Sequence, residues 1–155
     1  MQKLIDEFTK ENKVAVAGAS RDRMKWGSML ARSLAKKGYT VYPVNPAVSE
    51  LDGVRFYPSV AALPAEVKNV IIAVPRALTV KLMGECEKAG IKRIWLNNEG
   101  EKEPGVPELI DELSEKGISV IYGICPMMSY PKAGPHKIHL WVKKLLGKMP
   151  AGYAE

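Results

Sequence analysis

One joint occurs three times in this 155-residue chain. Lys36-Lys37-Gly38-Tyr39-Thr40-Val41, Lys88-Ala89-Gly90-Ile91-Lys92-Arg93 and Glu115-Lys116-Gly117-Ile118-Ser119-Val120 each run lysine, glycine, then a residue suited to a strand. A lysine in the last helical turn answers the negative end of the helix dipole, and glycine takes the left-handed conformation that closes the helix. Leaving a helix for a strand in one way three times implies alternating helices and strands.

The apolar runs agree. Strands are predicted at 14–17, 40–44, 70–74, 93–96 and 119–122, each apolar without clear alternation, as in strands covered on both faces. A first helix starts at Trp26 or Gly27 and marks one face with Met29, Leu30, Ser33 and Leu34. A second places Leu78, Leu82, Met83 and Cys86 on one stripe. A third does so with Val106, Leu109, Ile110 and Leu113, and has Pro107 in its first turn. Between Val44 and Val70 the breaks Asn45-Pro46, Asp52-Gly53, Tyr57-Pro58 and Leu63-Pro64 leave room only for a short helix at 59–63. The prediction is an α/β fold: a doubly wound, mainly parallel five-stranded sheet with right-handed crossovers and flanking helices. The length suits a single domain over 1–155.

Residues 132–150 are expected to form a basic amphipathic helix. Ile138, Trp141, Val142, Leu145 and Leu146 make its stripe, while Lys137, Lys143, Lys144 and Lys148 lie off it. The stripe is read as docking on the sheet or on a second subunit, so a homo-oligomer or a partner subunit is allowed for. Of the net charge of +6, the segment 132–155 carries +4, from five lysines and one acid. The basicity is thus a property of this segment plus a local cluster rather than a field over the whole molecule, and with little basic-aromatic interleaving a nucleic-acid partner is not expected.

The apolar runs are too short to span a membrane. MQKLIDEFTKEN has no apolar core or cleavage site, so a cytoplasmic location is expected. Cys86 and Cys125 are not spaced as a metal pair, and His136 and His139 have no third ligand, so no metal site is expected. Cys86 is read as core and Cys125 as loop packing.

In an open parallel sheet, ligands bind beyond the carboxyl ends of the strands. The loops there are Gly18-Ala19-Ser20, Val44-Asn45-Pro46, Val74-Pro75-Arg76, Asn97-Asn98-Glu99-Gly100 and Cys125-Pro126. The first leads into a helix, whose unpaired N–H groups favour phosphate. Gly18 admits close approach, Ser20 offers a hydroxyl, and Arg21, Arg23 and Lys25 add charge. The dinucleotide fingerprint GxGxxG is absent, and the second strand ends in Asn45 rather than the acid an NAD site wants. Both CoA and NADP, which carry an extra ribose phosphate, fit that pattern.

The ordered set Val16-Ala17-Gly18-Ala19-Ser20, Tyr42-Pro43-Val44-Asn45-Pro46, Tyr57-Pro58-Ser59, Ala73-Val74-Pro75, Trp95-Leu96-Asn97-Asn98-Glu99-Gly100 and Cys125-Pro126 resembles the CoA-binding domain family. These are small Rossmann-like proteins related to the nucleotide-binding domain of the succinyl-CoA synthetase α subunit. The resemblance runs from about Asn12 to Tyr130. It implies CoA or acyl-CoA as ligand, with Gly18, Ala19 and Ser20 against the pyrophosphate and Arg21 nearby. Val44, Asn45 and Pro46 would flank the adenosine. Val74 and Pro75 would pack on adenine or pantetheine, with Arg76 available to a phosphate. Asn98 and Glu99 would border the pantetheine arm, and Cys125 and Pro126 a closing loop. Ile124 and Met127-Met128 stand where many small members carry basic residues. The synthetase's phosphohistidine belongs to a second domain not found in this sequence, so ligase activity by this chain alone is not expected.

No catalytic constellation emerges from the residues. Glu99 has no nucleophile beside it in sequence, and no Walker loop or Ser-His-Asp order is present. The reading is a binding protein that serves as carrier, sensor or partner subunit. The alternatives are an NADP-dependent oxidoreductase and an interaction module using the basic C-terminal helix.

Overall fold

The computed structural model describes residues 1–97 and 99–130. The helix expected over 132–150, and Asn98, lie outside the described residues. In chain order the elements are α1 (Gln2–Lys10), β1 (Lys13–Ala17), α2 (Trp26–Lys36), β2 (Thr40–Val44), β3 (Glu50–Leu51) and β4 (Val54–Arg55). Then come β5 (Asn69–Ile72), α3 (Thr79–Lys88), β6 (Arg93–Leu96), α4 (Val106–Glu115), β7 (Ser119–Ile121) and the short α5 (Pro126–Ser129).

Five strands form one parallel sheet in the order β2-β1-β5-β6-β7. The chain moves outward from β1 to β2, then crosses back to β5 on the other side of β1. The switch point therefore lies between β1 and β5, where the following loops diverge and open a crevice.

The strand pleat divides the core. Ala15, Ala17, Val70, Ile72, Ile94 and Leu96 face one side, covered by Met83 and Cys86 of α3 and by Val106 and Leu113 of α4. Val14, Val16, Ile71 and Trp95 face the other, covered by Ile5 and Phe8 of α1 and by Leu30 and Leu34 of α2. Alternate residues of each strand are thus buried against opposite layers, so past their first residue the strands are apolar throughout. This is a Rossmann-like α/β architecture.

The three joints share one geometry. Gly38, Gly90 and Gly117 have φ of +91°, +73° and +77°. Beyond each, the next N–H reaches five residues back into the helix: Tyr39 to Leu34 O at 3.1 Å, Ile91 to Cys86 O at 3.0 Å and Ile118 to Leu113 O at 2.9 Å. That is the Schellman closure, made possible by glycine at the left-handed position.

Several elements differ from expectation. α1 was not foreseen; it buries Ile5 and Phe8, and Phe8 meets Trp95 edge-on with centroids 5.2 Å apart. Asn69, wholly buried, donates through Nδ2 to Phe8 O at 2.8 Å and so ties the end of α1 to the sheet. On α2 the buried line is Gly27, Leu30 and Leu34, while Met29 is 44% exposed. Leu78, expected on the apolar stripe, precedes α3 in a 3-10 turn and is also exposed. The strand expected at 70–74 ends at Ile72, which frees Ala73 and Val74 to shape the rim. The stretch after β2 holds the β3–β4 hairpin, turned by Asp52 and Gly53, both at positive φ as a two-residue turn of this kind requires. The short helix expected at 59–63 is present as a single 3-10 turn, Val60–Ala62.

Candidate binding site

At the switch point the loops enclose a cleft of about 640 Å³. Its floor is Ala17, Gly18 and Ala73. One wall is the start of α2, with Lys25, Trp26 and Gly27. Another is the loop after β2, Val44, Asn45 and Pro46, continued by Pro58 and Ser59. Opposite stand Val74, Pro75 and Leu78, followed by Lys81, Leu82 and Glu85 of α3. A mostly apolar trough with a few polar groups at its ends suits an amphipathic ligand.

The floor depends on two glycines. Gly18 sits at φ +108°, and a Cβ there would come within 2.3 Å of Ala73 O. A Cβ on Gly27 would come within 2.5 Å of Gly18 O. Helix α2 and the loops after β1 and β5 therefore meet backbone to backbone. The GxGxxG string is absent, yet Gly18 supplies its tight turn and Gly27 its close helix–strand approach.

The hydrogen bonds show which amides remain. Gly18 N–H donates to Val44 O at 3.2 Å. Ser20 N–H donates to Ser28 Oγ at 2.9 Å, and that hydroxyl donates to Ser20 O at 3.0 Å. Those two amides of the first turn are used internally. The N–H groups of Trp26, Gly27 and Ser28 open α2 and have no carbonyl within the helix to bond. Among the described residues no side chain caps this helix start, and no acid lies in its first turn. A ligand anion would meet α2's own terminus, reinforced by Lys25 and the Ser20 hydroxyl.

Asn45 is an internal brace. Its Nδ2 donates to Ala19 O at 2.9 Å, and its Oδ1 accepts from Ala47 N–H at 2.8 Å. It locks the second loop onto the first and leaves the end of β2 without a carboxylate.

Of the residues singled out from sequence, Gly18, Ser20, Val44, Asn45, Pro46, Val74 and Pro75 meet around this cleft. Ala19 is buried behind it. Arg21 is exposed and off the walls. Arg76 turns toward Glu103, 3.7 Å away. Glu99 is left-handed, exposed, and paired with Lys102 at 2.6 Å. Cys125 and the buried Pro126 start α5. Loops after β6 and β7 leave the same sheet edge but further along it, each strand adding about 5 Å. Sequence reasoning missed Lys81 and Glu85. Their i,i+4 spacing, flanking Leu82, was the available signal.

Comparison with known proteins agrees with the fold. The sequence profile of the CoA binding domain matches residues 12–131. The chain belongs to the CoA-binding domain family. It is 33% identical over 129 residues to the α subunit of acetate–CoA ligase [ADP-forming] II from Pyrococcus furiosus, aligning 79% of this chain with 28% of that subunit. A solved Ca. Korarchaeum cryptofilum dinucleotide-forming acetyl-coenzyme A synthetase 1, in complex with phosphate and ADP, is 36% identical with a TM-score of 0.65. That match covers 79% of this chain and 27% of the synthetase. A hypothetical protein from Pyrococcus horikoshii OT3 is 28% identical with a TM-score of 0.71, covering 83% of this chain and 89% of its own. The chain thus spans less than a third of the ligase subunit and of the synthetase, but nearly all of the short protein. Among the described residues no helix is long and apolar enough to cross a membrane.

Proposed function

We propose that the chain binds coenzyme A or an acyl-CoA across this cleft, with the pyrophosphate over the Gly18 turn. The observation that carries the reading is the uncapped start of α2 held against a side-chain-free floor by Gly18 and Gly27. Trp26, Gly27 and Ser28 amides, the Ser20 hydroxyl and Lys25 would hold the phosphates. The adenosine would lie by Val44, Pro46, Pro58 and Ser59, with Asn45 bracing that loop. Val74 and Pro75 would pack on the ligand's apolar parts, and the pantetheine would run along the edge toward Glu99 and the Cys125-Pro126 loop. Arg21 and Arg76 would contribute longer-range charge.

The role is that of a holder. Ligases among the relatives are several times longer, so in a CoA-ligating system this domain would present CoA while other segments or a partner carry the chemistry. A cytoplasmic setting fits a nucleotide ligand of this kind.

Titration calorimetry with CoA, NADP and ATP tests the reading. Saturable binding of CoA that weakens when Ser20 and Lys25 are both replaced by alanine is the expected outcome. Binding of NADP with none of CoA would transfer the cleft to an oxidoreductase reading.

A further inference from the structure

The cleft has a second cationic pole. Lys25 stands at the start of α2; Lys81 stands across the cleft on α3. Lys81 lies 3.9 Å from Glu85, one helical turn on, and Glu85 lines the cleft beside it. The Lys81 side chain is 74% exposed and that of Glu85 33%, so the carboxylate is the anchored member of the pair. α3 also packs on the Val60–Ala62 turn, which places this pole beside Pro58 and Ser59. Among the described residues lining the cleft the one acid is Glu85, paired with Lys81; with Asn45 rather than an acid ending β2, the loop after β2 sets no carboxylate against a phosphorylated ribose.

We propose that Lys81, steadied by Glu85, is the specificity residue that reads the ribose phosphate of the ligand. The inference rests on the CoA reading above and deepens it. Two cations on separate helices match a ligand with two separate phosphate groups: the helix start takes the pyrophosphate and Lys81 the ribose monophosphate. A dinucleotide with a bare ribose offers Lys81 nothing. An exposed lysine acts as a mobile point charge, so its effect is selective and salt-dependent.

Calorimetry of wild type, Lys81→Ala and Lys81→Arg with CoA and with dephospho-CoA, which lacks the ribose phosphate, tests this. Wild type should hold CoA about tenfold more tightly than dephospho-CoA, the scale of one charge-assisted contact. Lys81→Ala should erase that difference by weakening CoA alone, Lys81→Arg should retain most of it, and 0.5 M salt should shrink it. Equal loss of both ligands in Lys81→Ala, or no preference in wild type, overturns the assignment while the CoA reading stands. If wild type binds neither ligand, both fall. An unchanged denaturation midpoint for Lys81→Ala assigns any affinity change to the contact itself.

Discussion

A Cβ at Gly27 would lie 2.5 Å from the carbonyl oxygen of Gly18. Those two residues fix how far α2 can approach the sheet, and thereby the depth of the cleft floor. Neither neighbour is a flexible side chain; both contacts are with backbone, which moves only by shifting a whole element.

Substitution at this contact should damage stability and binding together. Gly27→Ala should cost about 1–3 kcal/mol through overpacking. Gly18→Ala should cost more, because its close contact with Ala73 O is combined with a φ of +108°. Urea denaturation reads the stability loss. Calorimetry with CoA should show affinity lost in the folded fraction too, since the helix start is displaced. A Gly27→Ala protein with native stability would mean the approach is looser than the structure shows.

Ser28 and Ser20 should separate structure from binding. Ser28 is 7% exposed, and its hydroxyl both accepts from and donates to the Ser20 main chain. Ser28→Ala leaves that amide and carbonyl unpaired, at a cost of about 1–3 kcal/mol. Among the described residues the Ser20 hydroxyl meets only Asp22 O, at 3.4 Å. Ser20→Ala should therefore leave the denaturation midpoint nearly unchanged and weaken CoA binding severalfold. The reverse pattern would remove Ser20 from the ligand's reach.

Much of this fold was legible because its signals are local. The Schellman joints at Gly38, Gly90 and Gly117 and the strands buried on both faces follow from short stretches. α1 was obscured because only Leu4, Ile5 and Phe8 stand among polar residues, and its helix is secured by distant partners, Trp95 and Asn69. The first three loops of the site were legible from strand ends and turn residues. From the sequence Gly27 reads only as a possible helix start, because its role depends on a backbone contact with no sequence period. Lys81 and Glu85 resemble any solvated helix pair until the crossover brings α3 to the switch point.

Asn69 should matter as a long-range staple. It is fully buried, donates to Phe8 O at 2.8 Å and accepts from Arg93 Nη1 at 3.2 Å. Asn69→Ala orphans a carbonyl at the end of α1 and should cost about 2 kcal/mol. Hydrogen exchange should then show α1 opening before the sheet. Exchange raised equally everywhere would show that α1 unfolds only with the whole.

Alkaline pH should unmask Cys86. Burial pushes its thiol up from 9.0 to about 12, so the folded state keeps a proton that the unfolded chain releases. Its contribution is intact below about pH 9 and fades as pH rises toward 12, at up to about 1.4 kcal/mol per pH unit. Tyr130, also raised by burial, adds to the loss above pH 10. Urea midpoints measured from pH 8 to 11 should fall with increasing slope. Cys86→Ala should lower stability at pH 8 through the cavity it leaves, yet flatten the decline above pH 9. Tyr130→Phe deletes a buried hydroxyl that has no partner among the described residues. It should leave pH 8 stability level or slightly raised and remove the steepening above pH 10. A decline identical in all three proteins would assign the alkaline loss to other groups.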